Sequence, residues 1–389
     1  MLNDELITSL SLIYTGAALV ATMALFSRQS IIVAYIFLGV LFGPYGFNVV
    51  QNADISTEVG HVGMIFLLFL AGLHLDPKNL FLMLKKAVSV TLTTSFIFAL
   101  STYVLLYYGF GLMQQDALIV GVAMMFSSTL IGLKLLPSDM LHSQMIGEVI
   151  ISVLLIQDLL AIVSMVFLDS YGTTDLPHDQ LLMMFCAIPL LLAYGFFLER
   201  FFISRLFSIF ESVREYLFIL SVGWCLSMSE LASVLHLSRE VGAFIAGVSI
   251  ASGSVSTYLA ECLSPLRDFF LVLFFFSMGA SLELDLLATV ALPVLCLSLL
   301  VVVLKPVMYW CFIDQTEDGK PVGWEAGVRL GQASEFSILV AQIAKAAKLL
   351  SPQAAVIVTA TVIMTFVVSS YWVSFAFVTP MARINRGDD

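Results

Sequence analysis

Charge is what this chain has little of. Of its 389 residues, 12% are Asp, Glu, Lys or Arg and 60% are hydrophobic, whereas a soluble domain carries roughly a quarter charged residues. The charges fall in short clusters between apolar runs of about 20 residues, a length that spans a hydrocarbon core of about 30 Å. A soluble core helix is rarely apolar on every face for so long, so the chain reads as a polytopic membrane protein. Cysteine is sparse too. Cys186, Cys225, Cys262, Cys296 and Cys311 are isolated, which argues against a disulfide framework or a metal-ligand spacing. No two of the five histidines pair at helical spacing within one apolar run, against a haem-binding redox subunit. Met1-Leu2-Asn3-Asp4-Glu5 has no basic n-region, and no small-residue cleavage site follows, against a cleaved signal peptide. The net charge of −11 belongs to the loops and offers no nucleic-acid surface. Nor does any nucleophile–base pair or metal cluster support an enzyme, and no cofactor is expected.

What is present is a series of thirteen apolar segments: 6–26, 31–47, 58–74, 82–109, 115–136, 143–168, 180–199, 214–236, 239–253, 266–283, 287–312, 323–347 and 352–380. An odd number of spans puts the termini on opposite sides of the bilayer. With the amino terminus outside, thirteen basic residues lie in cytoplasmic loops (Arg28, Lys78, Lys85, Lys86, Lys134, Arg200, Arg205, Arg214, Arg267, Lys320, Arg329, Arg383 and Arg386). Outer loops hold three, Arg239, Lys345 and Lys348, and Lys305 falls inside a span. That bias supports both the count and the orientation.

The two halves resemble each other. Residues 33–40 match 241–248 at an offset of 208, Leu73-His74-Leu75-Asp76 matches Leu282-Glu283-Leu284-Asp285 at 209, and 208 also carries Ser127 to Glu335. Span 1 then pairs with span 8, span 6 with span 13, and span 7 is a linker. Partners seven spans apart cross in opposite directions, which is an inverted-topology repeat. The fold expected is an all-α membrane protein with spans 1–6 and 8–13 as the repeats and spans 5 and 12 as crossed, broken helices. Span 5 is interrupted by Phe126-Ser127-Ser128-Thr129, span 12 by Gly331-Gln332-Ala333-Ser334-Glu335. Unwound backbone in a bilayer must be satisfied by protein or by cavity water, and half-helix ends can hold ions. The competing view is that these small residues only let helices pack closely.

Asp158, near the middle of span 6, is the sharpest signal. A carboxylate at membrane depth is costly unless it faces a cavity or a partner, and a group that binds either a proton or a cation, in competition, is the minimum chemistry of exchange. The alternative is a structural aspartate bonded to a nearby backbone break. Gln157 offers an amide oxygen to a cation, or an interhelical hydrogen bond. Lys305 can snorkel to the interface or turn inward as the charge partner of Asp158. Glu335 can line the cavity, neutralise half-helix N-termini or sit in a solvated funnel. Ser127, Ser128, Thr129 and Ser334 complete the candidate ion- and proton-binding set. His61, His74, Asp76, Glu148, Glu230, Glu283 and Asp285 read as residues at the ends of loops.

Taken in order, these pieces resemble the membrane domain of the cation:proton antiporter-2 family, most of all its Kef-type potassium-efflux branch, over residues 10–380. The resemblance rests on Gly39-Val40-Leu41-Phe42-Gly43-Pro44, Phe69-Leu70-Ala71-Gly72-Leu73-His74-Leu75-Asp76, Ser127-Ser128-Thr129 and Gln157-Asp158. It continues through Gly242-Ala243-Phe244-Ile245-Ala246-Gly247, Leu273-Phe274-Phe275-Phe276-Ser277-Met278-Gly279 and Glu335-Phe336. It implies a homodimer in a bacterial inner membrane, with a core (58–168 and 266–380) moving against a dimerisation domain (1–50 and 180–255) in an elevator-like way. It implies a monovalent cation and a proton alternating at Asp158, with Lys305 in the place of an intramembrane lysine. The Gln-Asp pair points to potassium, with sodium/proton exchange as the alternative and an ion-coupled organic-anion symporter behind it. The sequence departs from the pattern at His74, where the family has Glu, and at Glu148, where it has a basic residue. Tyr258 to Ser264 stand where an acidic regulatory loop is expected. No dinucleotide-binding glycine motif appears, so a regulatory soluble domain or subunit would lie outside this chain.

Overall fold

The computed structural model describes residues 2–27, 29–50, 53–73, 77–134, 145–172, 178–210, 213–235, 237, 239–251, 256–313 and 319–377. His74 and Asp76 lie outside them, and the side chains of His61 and Glu148 are not described. Every regular element among the described residues is helical. The helices are α1 (Leu2–Phe26), α2 (Ile31–Phe42), α3 (Ala53–Leu73), α4 (Pro77–Val104), α5 (Gln114–Met124) and α6 (Thr129–Lys134). Then come α7 (Met145–Gly172), α8 (His178–Leu198), α9 (Ser204–Ile209), α10 (Arg214–Val234), α11 (Arg239–Ile250) and α12 (Ser256–Ala280). The last four are α13 (Leu284–Phe312), α14 (Gly319–Arg329), α15 (Glu335–Ala346) and α16 (Pro352–Ala376). Stretches within α1, α4, α10, α13 and α16 are each long and apolar enough to cross a bilayer alone. The chain is a multi-pass membrane protein.

The inverted repeat is visible in element lengths. α2 and α11, partners in the repeat, have 12 residues each. α5 and α14 have 11 each, and each is followed by a short irregular stretch and a second helix in the same span. Spans 5 and 12 are therefore the broken pair.

One expectation is corrected. Residues 258–264, read as loop, belong to α12, which begins ten residues before the expected span. Pro265 normally ends a helix, but here it sits inside α12. Leu259, Ala260 and Leu263 are buried along one face, and that packing holds the turn that proline weakens.

The chain divides into two units: 1–14, 49–82 and 173–278; and 15–48, 83–172 and 279–389. In the first, α3 and α11 touch backbone to backbone. A Cβ on Gly72 would lie 2.4 Å from Phe244 O, and one on Gly247 would lie 2.1 Å from Phe69 O. Small residues at such crossings are how helices approach in lipid. In the second unit α13 packs on α14 and α16, while α15 packs on α5, α7 and α16. A Cβ on Gly327 of α14 would come within 2.6 Å of Pro306 Cα on α13, so glycine there sets the close seat of the first half of the broken span beside Lys305.

Candidate functional site

All eight candidate residues lie in the second unit, where the two interruptions meet. Ser127 Oγ donates to Leu330 O at 3.0 Å, and Gln332 Nε2 donates to Ser128 O at 3.4 Å. Ser337 Oγ on α15 donates to Ala123 O on α5. Each break thus satisfies backbone groups of the other, the condition for unwound chain inside a bilayer.

The second halves start with side-chain caps. Ser128 Oγ accepts from Ile131 N at 3.2 Å. Ser334 Oγ accepts from Phe336 N at 3.1 Å while Ser337 Oγ accepts from Ser334 N at 3.2 Å, a reciprocal capping arrangement. Thr365 of α16 donates its own proton to Val362 O and accepts from Ala333 N at 3.1 Å, and Ser369 donates to Gln332 Oε1 at 2.8 Å.

Lys305 is 3% exposed, which excludes snorkelling. Its ammonium has three donors, and it finds Phe126 O at 2.6 Å, Gln332 O at 2.9 Å and Ser127 Oγ at 3.1 Å. The two carbonyls lie just past the C-terminal ends of α5 and α14, where helix dipoles concentrate negative charge. One cation therefore serves both broken spans. In this conformation Lys305 bonds to the breaks rather than to the Asp158 carboxylate.

Asp158 is buried on α7. Thr129, the first residue of α6, donates to it at 3.1 Å from Oδ1 and 3.3 Å from Oδ2. No ion pair to Asp158 forms among the described residues. Glu335, fully buried in the first turn of α15, lies within electrostatic reach of it. Complete burial rules out the solvated funnel, and the first-turn position agrees with neutralising a half-helix N-terminus.

Gln157 is occupied. Its Oε1 accepts from Ser127 N at 2.9 Å, and its Nε2 donates to Met125 O at 3.2 Å and Tyr309 Oη at 3.1 Å. The interhelical hydrogen bond, one of its two sequence readings, is the one observed. Tyr309, Gln332, Thr365 and Ser369 were not among the candidates. Tyr309 carried a signal, since it stands one turn after Lys305 on the same face of α13. Gln332 stands inside the polar interruption of span 12, which marked the break but not this side chain, while Thr365 and Ser369 lie within the continuous α16 and carry no signal. Arg329, counted among loop charges, is instead buried at the end of α14 and pairs with Glu325 at 2.8 Å.

A buried carboxylate against two crossed, broken helices of an inverted repeat defines a secondary transporter, not an enzyme. The chain matches the family described as "Sodium/hydrogen exchanger, transmembrane" over residues 13–379, and it belongs to that family, the cation:proton antiporters. It is 28% identical over 372 residues to the iron transporter MagA of Paramagnetospirillum magneticum, covering 95% of this chain and 86% of that one. It is 31% identical over 360 residues to the glutathione-regulated potassium-efflux system protein KefC of Cronobacter sakazakii, covering 88% of this chain. The chain spans only 56% of that KefC's length. Among solved structures it is similar to the sodium proton antiporter MjNhaP1 of Methanocaldococcus jannaschii, with a TM-score of 0.73 and 18% identity over 97% of this chain and 98% of that one. That likeness concerns the fold.

Proposed function

We propose that this antiporter exchanges potassium for protons, with Asp158 as the site both ions share. The observation that carries this reading is the state of Asp158: buried, bonded to one threonine hydroxyl and joined to no cationic side chain among the described residues. An ionised carboxylate in such a place costs several kcal/mol without a compensating charge. Glu335 nearby adds repulsion if both carboxylates are ionised. A proton on Asp158, or a cation beside it, removes the cost, and each excludes the other.

The oxygens offered to the cation are those of Asp158, Thr129, Glu335 and the breaks themselves, a hard set suited to alkali ions. Gln157 contributes by holding Met125 O and Ser127 N in place. Lys305 keeps the breaks together here and pairs with Asp158 once the cation has left, which gives the lysine a second position in the cycle. The relatives named as potassium-efflux proteins and the Gln157-Asp158 pair favour potassium over sodium. Iron is not proposed. No group of three or more His, Cys, Asp or Glu that could hold a metal ion stands among the described residues. We further propose a homodimer in a bacterial inner membrane, amino terminus outside, with residues 58–168 and 266–380 as the moving core and 1–50 and 180–255 as the dimerisation part.

The test is exchange in proteoliposomes with a pH-sensitive dye in the lumen. Potassium, sodium and lithium are added in turn to the wild type and to Asp158→Asn. The wild type should respond to potassium most strongly, and Asp158→Asn should lose exchange at least about a hundredfold. Undiminished exchange by the variant would remove Asp158 from the mechanism. Sodium outperforming potassium would replace the ion and leave the site.

A further inference from the structure

A small cavity lies beside Lys305 and takes no part in cation binding as described. Thr94, Ser95 and Phe98 of α4 line it, with Gln157 of α7 and Lys305 and Tyr309 of α13. Asp158 is not among its walls. It has room for about one water molecule.

Serine and threonine inside helices often bond back to the preceding turn. Thr94 and Ser101 do so, to Val90 O at 2.9 Å and Ile97 O at 2.8 Å. Thr91, Ser95 and Thr102 do not: their hydroxyls are buried with no hydrogen-bond partner among the described residues. Steps of four and seven residues put all three on one face of α4. Phe98 lies on that face too, its ring centroid 5.1 Å from Lys305 Nζ. The facing helix carries a fourth such hydroxyl, Ser298, two turns before Lys305. Spans 4 and 11 are repeat partners and cross in opposite directions. Seven residues forward from Ser95 and seven back from Lys305 therefore lead the same way, by about 10 Å. Each unbonded buried hydroxyl costs about 1–3 kcal/mol, and apolar residues would avoid that cost. Of the four, Ser95 lines the cavity, and a water there gives its hydroxyl a partner.

We propose that the cavity holds an ordered water bonded to Ser95 Oγ, and that this water carries protons to and from Lys305 along the hydroxyl-lined seam between α4 and α13. The proposal rests on the antiport reading above. The transfer balances: when Lys305 gives up one of its three bonds to the breaks, that N–H turns to the cavity and passes its proton to the water oxygen, and the water passes one of its own to the next hydroxyl or water. Only Lys305 changes charge. Protons then reach the crossover by a route with its own walls, separate from the oxygens that receive the cation.

Radiolytic water labelling of the full chain in nanodiscs tests this, because radicals formed from a bound water oxidise the nearest side chains. Met308 also lines the cavity, and the buried Met64 and Met228 elsewhere serve as references. Met308 should label well above both in the wild type. In Ser95→Leu, which fills the space, its labelling should fall to the reference level. Proton exchange should then slow by about tenfold, with the apparent KM for potassium unchanged and Ser95→Thr restoring the rate. Asp158→Asn should lose exchange but keep Met308 labelling, which separates failure of the antiport reading from failure of this one. Met308 labelling no higher than the references in the wild type overturns the water. A Ser95→Leu protein that folds, as judged by monodispersity, and exchanges at the wild-type rate overturns the route.

Discussion

The α3–α11 contact of the first unit and the crossover of the second solve the same problem, close approach of helices in lipid, by opposite means. α3 and α11 remove side chains: Gly72 and Gly247 let one backbone lie on the other. The crossover adds polar side chains to meet backbone that has left its helices, with Lys305, Gln157, Gln332, Ser127 and Thr365 each bonded to a break. Steric packing stabilises and does little else. The polar solution also stabilises, but its groups can bind an ion and titrate. Changes in the first contact should therefore alter how much protein folds, and changes in the second how each folded molecule handles ions.

The largest separation should come from Lys305→Met. It leaves Phe126 O and Gln332 O without their cation, so we expect a loss of about 3 kcal/mol together with loss of exchange, read by thermal unfolding in detergent and by proteoliposome flux. Gly247→Ala should cost about 1–3 kcal/mol through forced displacement of α3. Its flux per folded molecule should stay at the wild-type level, measured after normalising for reconstituted protein; an altered KM would break the comparison. Thr129→Val removes the hydroxyl that touches Asp158, and a net hydrogen bond of about 1 kcal/mol should appear as a several-fold rise in the KM for potassium with unfolding temperature nearly unchanged. The smallest effect should be at Ser351. It caps α16 by accepting from Ala354 N at 3.2 Å, and its Oγ donates to Asp116 at 2.7 Å. Ser351→Ala should cost about 1 kcal/mol of stability and leave ion affinity alone.

Span lengths, the helix breaks and Asp158 were legible because the bilayer makes them so. Twenty apolar residues, a polar interruption and a buried carboxylate each stand out against lipid-compatible sequence. The start of α12 was hidden because Pro265 looks like a boundary until the buried Leu259 and Leu263 show what holds the preceding turns. The partners of Lys305 were hidden for a different reason. They are two backbone carbonyls, at Phe126 and Gln332, and no side-chain pattern announces a carbonyl. The engagement of Gln157 was equally out of reach, since its choice between an ion and a neighbouring helix depends on where Tyr309 and the Ser127 amide stand in space.

The central claim is that one carboxylate holds either a proton or a cation. Potassium binding to the purified protein, followed by calorimetry in two buffers of different ionisation enthalpy, counts the protons released as the ion binds. The account predicts a release of up to one proton per potassium in the wild type, growing as pH falls, and none in Asp158→Asn. Potassium binding with the same buffer-independent heat at every pH would contradict it.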